Sequence, residues 1–176
     1  MEQTEKTVSP MSNEGRNAYV VEQLTRALLA LLQEKPLADI SVSELCEQAG
    51  VGRTSFYRNF QEKEDILRTY IYHLFKEWTG RLGDGAPLDR LILAMFTHFE
   101  GRRDFYALLN ERGLIGLLKD VILELCGFRP DQEAKAAYAS AFAAYSLYGW
   151  VEVWFRRGMR ESAAEMAALF PSERNA

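Results

Sequence analysis

The stretch Ala49-Gly50-Val51-Gly52-Arg53-Thr54-Ser55-Phe56-Tyr57-Arg58-Asn59-Phe60, "AGVGRTSFYRNF", decides how the first third of this chain folds. Three readings compete for it: a buried helix that carries charge, a glycine loop that cradles phosphate, and a helix that reads DNA. A nucleotide-binding loop needs a Gly-Lys-Ser/Thr run after its glycines, and neither Gly50 nor Gly52 leads into one. Just upstream, Ser41 and Glu44 stand at capping-box spacing, where the Ser hydroxyl accepts from the Glu amide and the Glu side chain reaches back. Val42, Leu45, Cys46 and Ala49 then form the inward face of a short helix. Gly50 suits the left-handed residue of a tight turn, where a Cβ is costly. A second short helix is expected over about 52 to 58.

Two short helices across a glycine turn describe a helix-turn-helix, whose second helix lies in the DNA major groove. Val42, Leu45, Ala49, Val51 and Phe56 supply its small or apolar inward positions. Arg53, Thr54, Ser55, Tyr57, Arg58 and Asn59 carry hydrogen-bonding groups on the outward side. Spacing alone leaves an exposed amphipathic helix as the alternative.

Working outward, Val20, Leu24, Ala27, Leu28, Leu31 and Leu32 recur at three- and four-residue steps and predict a helix over about 15 to 34. Pro36 stops it, because the residue before a proline is pushed out of the helical region. A fourth helix is expected from about 62 to 81, buried through Ile66, Leu67, Tyr70, Ile71, Leu74 and Trp78. "GDGAP" at 83 to 87 breaks the pattern. Further helices are expected over about 88–100, 102–111, 113–126 and 131–157, with a last one running from the Ser162/Glu165 capping pair to Phe170. The chain therefore reads as all-α. A flexible tail covers 1–14, a three-helix helix-turn-helix domain 15–68, and a helical domain 69–176, with the fourth helix linking the two.

Composition narrows the function. The 176 residues suffice for a core, and the net charge of −4 excludes a uniformly basic nucleic-acid coat while leaving local DNA contact open. Cys46 and Cys126 each sit in an apolar helical pattern and read as reduced core thiols. Without Cys-x-x-Cys or a His-rich tract, no metal or cofactor is expected. His73 and His98 have no carboxylate or cysteine constellation around them and no nucleophile motif appears, so an enzyme is not expected. The polar N-terminus carries no signal core, no apolar run is long enough to span a bilayer, and a cytoplasmic location follows.

"ISVSELCEQAGVGRTSFYRNFQEKEDIL" resembles the DNA-binding segment of TetR-family transcriptional regulators. Ser41 to Leu45, Ala49 to Gly52, Ser55-Phe56-Tyr57, Phe60, Lys63 and Leu67 follow the family pattern in order, and the resemblance covers about residues 15 to 70. It implies a regulator that binds duplex operator DNA, with contacts from Ser41, Ser43, Arg53, Thr54, Ser55, Tyr57, Asn59 and Lys63. Arg53 is suited to guanine and Thr54 to a thymine methyl. Tyr57 and Lys63 match positions the family uses on the DNA backbone. Two departures stand out: Gly52 replaces a common Ser, and Asn59 a common His.

Residues 136 to 155, "AAYASAFAAYSLYGWVEVWF", are apolar on nearly every side. Such a helix is either deep in a core or covered by a partner, and a chain of this length has little room for the first. The resemblance points to the second, a homodimer built on the last two long helices, with Tyr138, Ala141, Phe142, Tyr145 and Gly149 at the interface. It also implies a repressor on a near-palindromic operator, its two reading helices about 34–36 Å apart. A small apolar or aromatic effector is implied in the C-terminal domain, with Trp78, Phe96, Phe99, Tyr106, Tyr145 and Trp154 as candidate contacts. The rival function is a helical protein-interaction module that binds no operator.

Overall fold

The computed structural model describes residues 13–80 and 87–169, and every α or 3-10 element among them is helical. Residues 1–12 of the expected tail, the break at 83–86 and the expected end of the last helix at Phe170 lie outside them. Backbone proximity divides the chain into two compact units, Met1–Ile66 and Leu67–Ala176.

In the first unit, α1 spans Asn13–Glu34, a 3-10 turn Leu37–Asp39, α2 Val42–Ala49 and α3 Arg53–Asn59. Helix α4, Lys63–Gly80, starts here and continues into the second unit. Leu24, Leu28 and Leu32 repeat every four residues on α1 and are fully buried, as are Leu45 of α2 and Phe56 of α3. α1 packs against both short helices. Each such side chain contributes about 1.5–3 kcal/mol on burial, which matters in so small a core.

Local chemistry sets the boundaries. Pro36, extended at ψ 152°, follows the end of α1. Ser41 Oγ accepts the Glu44 amide at 3.1 Å. The Glu44 carboxylate is held below the usual carboxylate range, first by its hydrogen bond with Lys35. Lys35 Nζ sits 2.5 Å from Glu44 Oε1 and links the end of α1 to the start of α2. Gly50 adopts φ +66°. The Gly50 and Val51 amides donate to Glu47 and Cys46 carbonyls at 3.1 and 3.0 Å, the two bonds of a Schellman cap.

The second unit holds α5 (Leu88–Glu100), α6 (Arg103–Glu111), α7 (Leu117–Leu125), α8 (Ala134–Arg156) and α9 (Ala163–Leu169). Helix α5 packs on α9, and α8 on α6 and α7. Helix α7 begins four residues later than the apolar run suggests. Gly113 at φ +71° and the Leu114 amide, 2.7 Å from the Leu109 carbonyl, belong to the end of α6 instead. Helix α8 also starts late, because residues 129–132 close a turn in which the Arg129 amide donates to Gln132 Oε1 at 3.1 Å. At the other end Gly158 takes φ +76° and Met159 φ +53°. Arg103 Nη2 donates to the Met159 carbonyl at 2.9 Å and braces that turn. Ser162 and Glu165 form the expected reciprocal cap, with the Ser162 amide 2.7 Å from Glu165 Oε2.

Candidate nucleic-acid interface

Helix α3 has only seven residues, too few to be stable alone, so its position depends on what lies under it. Phe56 is fully buried and Phe60 nearly so, with ring centroids 6.1 Å apart. Their anchoring leaves two other faces. Arg53, Thr54 and Tyr57 form one and are exposed, Tyr57 by 55% with its ring edge-on to Phe56. Ser55, Arg58 and Asn59, at helical three- and four-residue spacing, form the other and border a groove with the first turns of α1.

The expected contact residues fall into three groups. Arg53, Thr54 and Tyr57 share the exposed face. Ser41 and Ser43 are exposed at the start of α2, with Ser41 already accepting the Glu44 amide. Asn59 commits its amide to the Ser55 carbonyl at 2.8 Å, a bond within its own helix.

Lys63 behaves differently. Its ammonium donates to the Leu37 carbonyl at 2.6 Å and to the Ile40 carbonyl in a still shorter bond. These carbonyls belong to the turn that launches α2, so Lys63 ties the start of α4 to that turn. Asp65 caps the same helix start, its Oδ2 accepting the Gln61 and Glu62 amides at 3.0 Å each. The partners of Lys63 are backbone oxygens far away in sequence, which no motif announces.

Gly52 precedes α3 in extended geometry, φ −76° and ψ 148°, and offers no side-chain cap. The Ser55 and Phe56 amides reach its carbonyl at 2.9 and 3.3 Å. Cys46 is buried on the inward side of α2, and burial pushes its thiol pKa up; both it and Cys126 are free thiols.

In the second unit the six aromatic residues proposed as effector contacts occupy different surroundings. Phe96, Phe99 and Tyr106 are fully buried; Phe96 meets Trp154 edge-on with centroids 5.2 Å apart, and Phe99 and Tyr106 lie 4.7 Å apart. Trp78 walls two hollows, one of about 510 Å³ bordered also by His98, Arg90 and Arg102, and a smaller apolar one of about 220 Å³ with Phe75, Met95 and Leu147. The Trp78 indole N–H is buried without a hydrogen-bond partner. Trp154 is sealed on one side and borders an apolar groove of about 570 Å³ between α8 and α9. Tyr145 lies 47% exposed on α8. His98, 6% exposed, shares a 2.8 Å hydrogen bond through Nε2 with the Tyr106 hydroxyl. Burial, and then the Arg102 charge, hold its pKa down to about 4, so the ring is neutral near pH 7.

Of the residues expected at a dimer interface, Tyr138 and Phe142 are 78% and 77% exposed. With Tyr145, Gly149 and Val153 they follow four-, three-, four- and four-residue steps and make one stripe along α8. A Cβ on Gly149 would meet nothing within 4 Å. Ala141 lies half-buried beside the stripe.

A short helix carrying polar groups outward, anchored by two phenylalanines and set by a glycine turn behind a braced helix, defines a helix-turn-helix domain. Residues 24–70 match the family model for bacterial regulatory proteins of the tetR family. The helix-turn-helix domain of this chain is therefore that of the TetR family. Over 41 residues the chain is 49% identical to the HTH-type transcriptional regulator EthR of Mycobacterium tuberculosis and to the same-named protein of Mycobacterium bovis. That match takes in 23% of this chain and spans about a fifth, 19%, of those relatives. A solved structure, "fatty acid degradation regulator FadR from Bacillus halodurans", superimposes with a TM-score of 0.47 at 14% identity, covering 90% of this chain and 93% of that one. No described helix is long and apolar enough to cross a membrane.

Proposed function

We propose that this protein is a DNA-binding transcriptional regulator that represses as a homodimer on a near-palindromic operator and is released by a small molecule. The observation that carries the reading is the exposed face of α3. Arg53, Thr54 and Tyr57 stand in solvent over Phe56 and Phe60, on a helix of the size that enters a major groove. Base contacts come from Arg53 and Thr54, and backbone contact from Tyr57.

The α8 stripe supports the dimer. Tyr138, Phe142 and Val153 are exposed along one side of α8, an apolar surface that the described residues leave uncovered. A two-fold axis lets such a stripe cover itself, and Gly149 permits close approach of the second helix. The hollow beside Trp78 supports an effector site in the second unit, since it offers ring faces and a buried indole N–H that lacks an acceptor.

Selection of bound sequences from a pool of random duplexes tests the reading. A single two-fold-related motif is the expected outcome, and Tyr57→Ala lowers affinity for it at fixed salt. A pool that emerges without any enriched sequence overturns operator recognition.

A further inference from the structure

Helices α4 and α5 each turn one face toward the hollow of about 510 Å³ beside Trp78, and those faces are not uniformly apolar. From α4 come Leu74, Glu77 and Trp78. From α5 come Arg90, Leu93, Ala94, Thr97 and His98, at the three- and four-residue spacing of a single helix face. Arg102, just past the end of α5, completes the wall. One end of the hollow is polar: Trp78 lies beside His98 with ring centroids 6.1 Å apart, and the Arg102 charge acts on His98. Leu93, 42% exposed, and Ala94 make an apolar stretch between that end and Arg90. Arg90 and His98 stand roughly 12 Å apart along the helix axis, the length of a small amphipathic molecule.

The charge of this lining runs against that of the chain. The chain carries −4, whereas here two guanidiniums face one carboxylate. His98 adds no charge, its ring being neutral near pH 7. Glu77 answers Arg102 only loosely: the ion pair spans 3.9 Å, too long for a hydrogen bond, and the Glu77 side chain is 61% exposed. Two neutral polar groups already have partners. Thr97 Oγ1 donates to the Leu93 carbonyl at 2.8 Å, and His98 Nε2 shares its bond with the Tyr106 hydroxyl. The strongest donors of the wall are therefore the guanidinium N–H groups. The Trp78 indole N–H, buried without an acceptor among the described residues, would also gain from one.

We propose that this hollow takes an amphipathic monocarboxylate, its acid group on Arg102 beside His98 and Trp78 and its apolar body along Leu93 and Ala94 toward Arg90. This names the chemical class of the effector and rests on the effector reading above. A planar guanidinium meets a carboxylate through two parallel hydrogen bonds, and the half-buried position of Arg102 shields that contact from salt. The lining also sets the valence. Two cations against the Glu77 carboxylate leave one positive charge, which a single acid group balances and a doubly charged phosphate monoester exceeds. Glu77 is the competitor that the ligand displaces, and Arg90 adds attraction from the far end.

Matched probes separate charge from shape. Octanoate and phenylbutanoate are titrated calorimetrically into the full chain near pH 7, beside their primary amides and octyl phosphate, and release of the duplex selected from the random pool is followed in parallel. At least one acid is expected to bind about tenfold or more tighter than its own amide, the worth of a charge-assisted pair, and octanoate tighter than octyl phosphate. R102Q is expected to erase the preference by weakening the acid alone. E77Q is expected to tighten the acid by removing its competitor, and R90Q to weaken it by a smaller factor than R102Q. All three should keep the wild-type affinity for the amide, which a hollow deformed by the substitution would not. Equal affinity for acid and amide, or an acid preference that survives R102Q, overturns the carboxylate site while leaving the effector reading intact. Tighter binding of octyl phosphate overturns the single-charge assignment. An acid that binds by these rules without releasing the duplex overturns the effector reading and leaves the site. A panel in which no probe binds overturns the two together.

Discussion

Helices α3 and α8 both present aromatic side chains to water, and the surroundings of those aromatics differ in a way that predicts their partners. Tyr57 on α3 is flanked by Arg53, Thr54 and Arg58, and what is hydrophobic on that helix already lies beneath it. Its exposed face is complete as a folded surface and gains only from a charged partner. On α8, Tyr138, Phe142, Tyr145 and Val153 follow one another with little polar relief until the Glu152–Arg156 ion pair at 2.7 Å. That stripe costs free energy until it is covered. The first surface should therefore respond steeply to salt and the second hardly at all.

The largest expected effect breaks the second half of the comparison. Phe142→Lys places an ammonium at the middle of the stripe, where a two-fold axis would bring it near its own copy. Sedimentation equilibrium should show the wild type as a dimer at micromolar concentration and the variant as a monomer at every salt concentration. Because Phe142 is 77% exposed, the variant should keep its helical circular dichroism. A wild-type monomer, or a variant that dimerises as before, would remove α8 as the dimer face.

Acid comes next in size, and it acts on neither surface. His98 is buried among Phe75, Phe99 and Tyr106, with its folded pKa near 4 against an ordinary value of 6.5. Between those values the unfolded chain binds the proton and the folded chain does not, so stability is full above about pH 6.5 and is lost as pH falls toward 4. The loss amounts to about 3 kcal/mol at most, by the worth of each pKa unit. Thermal melts between pH 7 and 4.5 should show this decline, and His98→Gln should flatten it. An equally steep decline in His98→Gln would assign the acid sensitivity to other groups.

What the sequence revealed and what it hid follow one physical division. The Ser41 cap, the Gly50 turn and the stop at Pro36 are local events, written within four residues of where they act, and all three are legible. The same holds for Phe56 and Phe60, whose spacing makes them inward once α3 is granted. The start of α7 was not legible, because an apolar run does not reveal that Gly113 turns left-handed to finish the preceding helix. Lys63 is the clearest loss: its acceptors are carbonyls, and a carbonyl has no side-chain identity to read. The six aromatic residues of the second unit were visible as aromatics. Whether a ring closes on another ring, as Phe99 does on Tyr106, or walls a hollow, as Trp78 does, is decided by fit between helices that periodicity does not encode.

Returning to α3, Arg53→Ala should cost operator affinity by about 1–3 kcal/mol if the guanidinium reads a base, and affinity for an unrelated duplex should fall far less. Equal losses on the two duplexes would make Arg53 a backbone contact that reads no base. Dimerisation should be untouched, since Arg53 lies in the first unit.

The smallest effect sharpens the comparison by improving one surface alone. Gly52 caps α3 with no side chain, yet its φ of −76° and ψ of 148° are those of an ordinary capping residue. A Cβ built there would meet nothing within 4 Å, so Gly52→Ser introduces neither strain nor a clash. The new hydroxyl can accept one of the free amides of the first turn, worth a few tenths of a kcal/mol over glycine, and the lost backbone freedom of the unfolded chain adds to it. A melting temperature higher by about 1–2 °C is the expected result. The hydroxyl also stands at the end of the helix that meets DNA, so affinity for duplex should rise slightly while the dimer constant stays fixed. A fall in stability would mean that position 52 needs glycine for a reason its dihedral angles do not contain.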